Sequence, residues 1–576
     1  MTRLKNNSKQ ILIVCFFSAF ILLPQLNQHA IIAGGDSSFH WNRIYDAMMQ
    51  IKNGNFQYFV SMYGFSQSGR IVNALYGPYI AYFNGFLLLI AGSWFKYQLL
   101  SDWVVNVIAS FSMMYLLRKN NVSRNYSLLI SLLFITTYSI STWTLNQQFM
   151  AWGTAIMPLG IAAGTRMVRD LNNPISIPEL TIGVTLIIQT HMLSALFLII
   201  ILIFFFVIGW IKSNNRLKMF RDLLISILCT LLLTGNIWGS FLEIYGTNAL
   251  LAPFHNSTPL TNGVVNFTLE NSQLTFILVI VLSVQVSLLL MLYKKMATNN
   301  KLATILGISF LCLSTQLVPW NKLFNEFPAI SVIQFPYRFL GPAFILLLLG
   351  LGMSLMSLSE YSINKFDVKN LLLLICLCLS TFSLLGEVQN KSAAWSTNRV
   401  LSSQYNVQQK AYGNNLRNMF MSKDTGVVLN NVWKSAPDYL PSNGQNIKKT
   451  ALLYNDYSKQ IISNNKFSKL VKNGKMFISW KSNSTKPVLL NVVKYKHTNI
   501  ELNGENLLEK NYELTDIGAI IIHPKYGNNL LILNYKASSW FKLVLLISVF
   551  SMIGLILLLG IITIKKNNYI KSYIEN

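Results

Sequence analysis

Runs of apolar residues too long and too continuous for a soluble core set the first limit on this chain. Leu196–Ile211 and Phe344–Leu358 carry almost no polar interruption. An amphipathic core helix repeats its apolar positions every three to four residues, whereas these stretches are apolar all round. Several approach the roughly 20 residues that cross a bilayer. The chain is therefore read as a polytopic membrane protein, and its 576 residues exceed a single compact soluble domain.

The formal net charge of +26 invites a nucleic-acid reading, but its distribution argues for a membrane. Basic residues gather in short loops: Arg118, Lys119 and Arg124; Arg166 and Arg169; Lys212, Arg216, Lys218 and Arg221; Lys294, Lys295 and Lys301; Lys365 and Lys369; Lys565, Lys566 and Lys571. The loop Glu243–Gln273 has none. That alternation is the positive-inside pattern, and no aromatic-and-basic RNA-binding signature accompanies it. The first apolar segment, about Ile11 to Ile31, follows Arg3, Lys5 and Lys9 and shows no small-residue cleavage site, so it reads as a retained helix. With both termini cytoplasmic, every basic cluster stays inside only if Tyr76–Phe95, broken by Gly77-Pro78, Gly85 and Gly92, does not cross. That stretch is placed on the outer face as a re-entrant or juxtamembrane helical pair, leaving about twelve crossings. Re-entrant backbone needs protein cover or a water-filled cavity, which puts a cavity near Asp36.

The expected fold is mostly α: a polytopic transmembrane bundle over residues 1–387 with an outer-face loop at 32–96. An extracytoplasmic domain follows at 388–539, then a final helix, Phe541–Ile564, and a basic cytoplasmic tail within 540–576. The first half of the outer domain is irregular and rich in Asn, Ser and Gln. Its second half reads as strands at Lys475–Lys481, Val488–Tyr495, Gly518–Ile522 and Leu530–Tyr535, with a turn at Tyr526-Gly527-Asn528-Asn529. A β-sandwich-like module is expected. Cys15, Cys229, Cys312, Cys376 and Cys378 all fall in apolar segments, so neither a disulfide framework nor a zinc site is indicated. The Asn- and Lys-rich composition suggests an AT-rich bacterial genome.

No GxxxxGK[ST], Rossmann glycine set, HExxH or GxSxG elbow is present, so any chemistry must be assembled from loops at the membrane boundary. The densest polar cluster is Gly34–Arg43, where Asp36, His40 and Arg43 share a face if Ser37 onward is helical. Asp36 has two readings: an N-cap, or a base whose pKa a partly dry cleft raises toward a useful range. His191, in Gln189-Thr190-His191-Met192-Leu193-Ser194, either satisfies backbone at a helix end or serves the site. Glu243, after Phe241-Leu242, is either a tolerated carboxylate near water or a functional one. Arg338, in Val332–Leu340, either snorkels to headgroups or holds a phosphate bidentately, with Arg70 as a weaker second phosphate candidate. Trp41 and Tyr45 belong to an interfacial belt or stack on sugar rings.

Gly-Asp-x-x-Phe-His-x-x-Arg (Gly35–Arg43) and Leu75-Tyr76-Gly77-Pro78-Tyr79, following a first span, resemble GT-C-type membrane glycosyltransferases. More narrowly, the chain resembles the bacterial 6-pyruvoyl-tetrahydropterin synthase-related membrane proteins and their YfhO-like relatives, a label that implies no pterin chemistry. Gln334-Phe335-Pro336-Tyr337-Arg338-Phe339 is similar to that family's Gln-Phe-Pro-(Trp/Tyr)-Arg-Phe string, and His191 with Ser194 to its His-x-x-Ser turn. Asn503-Gly504 and Gly527-Asn528-Asn529 resemble its β-domain. Relatives often carry an Arg and a Glu around Leu145–Pro158, where this chain has Gln147 and Gln148 and no acid. Either another carboxylate, such as Glu243, takes that role or activity is altered.

The resemblance implies transfer of a sugar from a polyprenyl-phosphate donor to a cell-envelope acceptor on the outer face. Asp36 is then the catalytic base, and Arg338 the holder of the donor phosphate. His40 and Arg43 orient either, and Arg70, His191, Glu243 and Tyr337 are further substrate-binding candidates. No cofactor is specified; a divalent metal stays open, and the lipid-linked sugar is a substrate. Membrane lipids and a wall polymer or glycan acceptor are the expected partners, with no nucleic acid. The rival readings are a transporter or flippase of envelope precursors, which a charged pair buried mid-helix would favour, and a non-catalytic assembly protein. An outer cleft linking Asp36 and Arg338 would favour transfer.

Overall fold

A computed structural model describes residues 2–254, 256–265, 273–359, 368–398, 400–401, 406–442 and 450–575. The loop basic residue Lys365 and part of the Lys/Arg-free loop Glu243–Gln273 lie outside the described residues. Six helices are long and apolar enough to cross a membrane: Trp94–Lys119, Arg124–Asn146, Met192–Lys212, Pro336–Leu358, Val368–Ser396 and Ser539–Ile561. Arg216–Leu233 and Gly235–Tyr245, bent by 64° at their junction, make a seventh if taken as one span. Ser8–Phe20, Pro78–Ala91, Ile177–Thr190 and Phe276–Leu292 are apolar but shorter. At 1.5 Å per residue a 14-residue helix reaches about 21 Å, less than the roughly 30 Å hydrocarbon core. Helix length and composition thus give six or seven candidate spans among the described residues, and the count of about twelve crossings is not confirmed.

Two expected elements take different forms. The first helix runs Thr2–Phe20 and stops; Leu23–Asn27 is a separate short helix carrying Pro24 in its first turn. The chain then extends through Ala30–Gly34, where Gln98 accepts from the Ile32 N–H and donates to the Ile32 carbonyl, at 3.0 and 2.8 Å. Tyr76–Phe95 is not a helical pair: it holds one helix, Pro78–Ala91, ended by left-handed Gly92. Trp94 and Phe95 already belong to the next helix, whose N-cap is Ser93.

The helix Pro336–Leu358 is the axis of the bundle, with 89% of its apolar window buried, against 6% for Ser539–Ile561 at the periphery. At the start of this helix Pro336, Tyr337 and Phe339 are buried, and Arg338 is half-buried.

The outer domain begins inside a helix: Val368–Ala393 is continuous across the boundary drawn at 387. Ten strands follow in chain order: β1 Val407–Gln409, β2 Val432–Lys434, β3 Ser468–Lys472, β4 Lys475–Ser482, β5 Val488–Val493, β6 Thr498–Leu502, β7 Glu505–Asn506, β8 Tyr512–Leu514, β9 Ala519–Ile522 and β10 Gly527–Tyr535. β1 and β2 form an antiparallel pair with Val407 opposite Lys434. The sandwich has a five-stranded sheet, β3-β4-β10-β6-β7, facing a three-stranded sheet, β5-β9-β8. Alternate residues meet between them: Met476 and Ile478 of β4 and Leu531 and Leu533 of β10 pack with Leu490 and Val492 of β5 and Ile520 and Ile522 of β9. All four expected strands are present. Gly527, at φ +93°, turns the chain where it passes from one sheet to the other.

This module does not hang free. The same apolar cluster includes Phe59, Val60, Met62, Ile71, Ala74 and Leu75 of the first outer loop, and Phe541 at the root of the last helix. Glu243 closes the junction: its carboxylate, 1% exposed, accepts from the Ser538 N–H at 2.9 Å and the Ser538 hydroxyl, and pairs with His497 Nδ1 at 2.8 Å. Glu243 therefore ties the bent helix pair to the sandwich and to the last helix. Replacing it by Ala leaves these donors unpaired; we expect a loss of about 2–4 kcal/mol, read as a lower melting temperature and faster proteolysis between residues 450 and 538 in nanodiscs.

Candidate functional site

The helix Ser37–Asn53 positions the cluster around Asp36. Asp36 occupies its N-cap position, but its side chain makes no capping bond. Ser37 is engaged instead with neighbouring backbone and helix: its hydroxyl accepts from the Gly34 N–H at 2.7 Å and donates to Gln147 Oε1 at 2.6 Å. The Asp36 carboxylate is thereby released from local work and turned to Lys434, whose Nζ lies 3.2 Å from Oδ1 and also donates to the Gly35 carbonyl. The Asp36 side chain keeps 52% exposure while that of Lys434 keeps 15%. Burial opposes ionisation of Asp36, but Lys434, then His40 and Arg338, outweigh it and hold the carboxyl below the usual carboxylate range. The cleft therefore lowers the Asp36 pKa rather than raising it as expected, because Lys434, 398 residues along the chain, pairs with it.

One turn further, His40 is buried, stacked on Phe149 at 5.1 Å between ring centres. Arg43 NH1 lies 3.2 Å from His40 Nδ1. A guanidinium only donates, so Nδ1 accepts and the ring proton sits on Nε2. Burial and the neighbouring Arg43 charge hold the imidazole well below its usual range, so it is neutral. Arg43 itself is 1% exposed, with Nε donating to Asn73 Oδ1 at 3.0 Å and NH2 to the Tyr76 carbonyl at 3.1 Å. Its guanidinium lies against both Tyr76 and Phe149, 4.3 and 4.6 Å from the ring centres. Burial lowers its pKa to about 10, which leaves it cationic at neutral pH. Arg43 thus locks the tautomer of His40 and the position of the Tyr76 loop.

The string Gln334–Phe339 brings a second cation. Gln334 adopts a left-handed φ of +58°, held by its side-chain bond to the Phe254 carbonyl at 2.6 Å. Pro336 then opens the 3₁₀ turn that leads into the axial helix. Arg338 donates to the Ile333 carbonyl at 3.1 Å and lies over Phe335 at 5.2 Å, and its charge acts on Asp36, Tyr76 and His191. Tyr337 accepts from Gln148 Nε2 at 2.9 Å, while Gln148 Oε1 accepts from the Thr142 hydroxyl at 3.1 Å. His191 caps the helix Met192–Lys212: its Nδ1 accepts from the Ser194 N–H at 3.2 Å. Its ring also lies 6.5 Å from that of Tyr76, so capping and site position coincide. Gly153 permits this approach, since a Cβ there would sit 2.9 Å from the His191 Cβ.

Asp36, His40, Arg43, His191, Tyr337 and Arg338 thus converge. Two candidates do not. Arg70 is 0% exposed and donates to the carbonyls of Ala436 (2.7 Å) and Asp438, with its guanidinium over Phe65 and Tyr457. It is spent on structure and has no face to offer a phosphate. Glu243 is committed to the Ser538–His497 junction and does not stand in for the acid missing near Gln148. Trp41 packs edge-on against Phe420 at 4.9 Å with 4% exposure, so it is core rather than a sugar platform.

The residues that sequence reasoning missed lie on Lys434–Leu440. This segment is pinned by Arg70, by the Tyr495 hydroxyl on the Tyr439 carbonyl (2.9 Å), and by exchange between Leu251 and Tyr439–Leu440. Tyr439 sits at φ +62°, a conformation that costs a non-glycine residue about 1 kcal/mol or more, and places its ring 6.3 Å from Tyr76. Asp438 is half-buried, and burial raises its carboxyl despite the nearby Arg70 and Lys434. No local motif marks these residues.

Asp36 is already neutralised by Lys434 and faced by Arg338, and no group of three or more His, Cys, Asp or Glu residues able to hold a metal occurs among the described residues. The arrangement is suited to an anion beside a carboxylate.

No protein-family model and no curated protein matches the sequence. Among solved structures, the chain is similar to the arabinofuranosyltransferase AftD from Mycobacteria, at TM-score 0.41 and 12% identity, over 67% of this chain and 27% of that one. It is also similar to the Archaeoglobus fulgidus oligosaccharyltransferase tethered with an acceptor peptide, at TM-score 0.36 and 13% identity, over 67% of this chain and 55% of that one. The chain spans about a quarter of the first and just over half of the second.

Gly34 carries a steric requirement of the site: a Cβ there would meet the Asn146 backbone at 2.2 Å. Gly34→Ala must push the Asp36 loop away from Gln147 and Gln148. Its expected cost is about 1–3 kcal/mol, seen as a lowered melting temperature, with loss of the Ser37–Gln147 bond.

Proposed function

We propose that this protein is a GT-C-like integral membrane glycosyltransferase that moves a sugar from a polyprenyl-phosphate donor to a cell-envelope acceptor on the outer face, with both termini cytoplasmic. One observation carries the reading: Asp36, free of its cap and half-exposed, pairs with Lys434 at 3.2 Å and feels the Arg338 charge. A base beside phosphate-binding groups at the lipid boundary is what such a transfer needs, because donor phosphate and acceptor hydroxyl must meet there.

Asp36 takes the proton of the acceptor hydroxyl as its oxygen forms the new bond to the sugar's anomeric carbon. The bond from that carbon to the phosphate oxygen breaks, and the polyprenyl phosphate leaves with the electron pair. Arg338 stabilises the charge that develops there, since a guanidinium binds phosphate oxygens in a fork. Neutral His40, with its proton on Nε2, offers a donor beside the reacting groups, and the Tyr76, Tyr439 and Tyr337 rings supply faces on which a sugar can stack. A glutamine at 148 bridges Tyr337 and Thr142 without adding negative charge.

Comparison of wild type with Asp36→Asn, using labelled polyprenyl-phosphate sugars and an envelope acceptor extract, tests the reading. Loss of a general base should lower transfer by about 10²–10⁴-fold with fold intact. Equal transfer by both proteins removes Asp36 as the base, and no transfer by wild type across a broad donor panel overturns the enzyme reading in favour of transport or assembly.

The Lys434 charge sets the acid limit of the reaction. Asp36 has a depressed pKa, so the ionised base persists as pH falls below the usual carboxylate range. In Lys434→Met that depression is lost, and the acid limb of kcat/KM, which reports the free enzyme, should move to higher pH.

A further inference from the structure

A carboxylate clamped by an ammonium is a poor base, yet the same ammonium sits where a donor phosphate must lie. Lys434 makes two contacts at its Nζ, to Asp36 Oδ1 and the Gly35 carbonyl, and an ammonium has three protons to donate. Its backbone cannot follow a ligand. Lys434 ends β2 opposite Val407, the Ser435 N–H donates to the Asn406 carbonyl at 2.8 Å, and Arg70 grips the carbonyls of Ala436 and Asp438. The four-carbon stem can, because a lysine is a point charge on a flexible arm. Across from it, Arg338 spends one bond on the Ile333 carbonyl. Lys434 thus pairs directly with Asp36, and the Arg338 charge acts on the same carboxylate from further off.

We infer that Lys434 is an exchanging counter-ion: it pairs with Asp36, and transfers to the phosphate group of an incoming donor, so that binding of the phosphate releases the base. This rests on the transferase reading for the identity of the donor, but the exchange itself requires only a phosphate. No covalent step is involved; one ion pair is replaced by another. The donor phosphate, esterified to both sugar and polyprenol, carries one negative charge and two non-bridging oxygens, so it matches the carboxylate in charge and can accept from the Lys434 ammonium and the Arg338 guanidinium at once. The outer domain then contributes a working residue to the site, and the base is unmasked only when the donor phosphate is in place, which limits loss of the sugar to water.

The test is a double-mutant cycle of phosphate binding, with full-length protein in phosphatidylcholine nanodiscs and calorimetry as readout. The probes are inorganic phosphate and citronellyl phosphate, a short prenyl monophosphate. Lys434→Met should weaken binding about tenfold and Lys434→Arg far less, whereas Asp36→Asn should tighten it about tenfold by removing the competitor. The decisive comparison is Asp36→Asn in the Lys434→Met background, where the tightening should shrink to about twofold. Equal tightening in both backgrounds would overturn the inference, because Asp36 would then act as a bare repulsive charge. Unchanged affinity in Lys434→Met, or no binding of either probe, would overturn it as well. Lys434→Arg keeps the cation and guards against a folding defect in Lys434→Met. If the cycle holds for citronellyl phosphate alone, the source is a lipid-borne phosphate; if for both, the phosphate group suffices. A cycle that holds while no sugar transfer occurs keeps the exchange and removes the transferase reading.

Discussion

The site depends on one buried cation. Arg70 is withdrawn completely from solvent, and its guanidinium reaches the carbonyls of Ala436 and Asp438, joining the first outer loop to a segment 366 residues later. Lys434 lies two residues before that grip and Tyr439 one residue after it. The membrane-boundary helix brings Asp36 and the outer domain brings Lys434, and only this junction makes them one site. A charge with carbonyl ligands and aromatic faces in place of a carboxylate partner retains its full positive sign. Its two terminal nitrogens are satisfied by those carbonyls while Nε stays buried without a partner, so the grip rests on the two carbonyl bonds.

Arg43 repeats the same physics closer to the chemistry. It too is buried without an acid, ligated by Asn73, the Tyr76 carbonyl and His40, against two rings. Cation–π contact and neutral oxygens replace water as solvent for the charge. The consequence is directional: an arginine can only donate, so His40 is fixed in one tautomer. A lysine in that place would offer neither the fork nor the stacking plane.

Much of this was legible in the sequence, and the failures have physical causes. The helical spacing of Asp36, His40 and Arg43 put them on one face, and the Gln334–Phe339 string marked the start of an apolar helix that proves to be the axis of the bundle. Four strands were readable because their alternation reflects a sandwich with one face buried. Arg70 misled because Gly69-Arg70 carries no sign of burial, and burial alone decides whether a guanidinium is a ligand for phosphate or a rivet. Glu243 misled for the same reason: a carboxylate at a helix end looks alike in water and in a junction. The count of about twelve crossings is not confirmed, because hydropathy registers apolar residues and not helix length; Ile177–Thr190 and Phe276–Leu292 are apolar but short. Lys434 was beyond reach, since pairing across 398 residues leaves no local trace.

The neutral side chain of Gln148 acquires a meaning from this charge balance. A carboxylate at Gln148, beside Tyr337 and next along the chain from Arg338, would compete with Asp36 for the two cations, and would repel the anion they are placed to receive. Gln148 instead donates to the Tyr337 hydroxyl and accepts from Thr142, so it fills the position with hydrogen bonds and no charge. The site is left with a single exposed carboxylate, one ammonium that can move, and one guanidinium at the head of a rigid helix. In such a set the ammonium does the work that a bound cation would do elsewhere. Its identity as a side chain of the outer domain means that phosphate recognition and domain docking are one event rather than two.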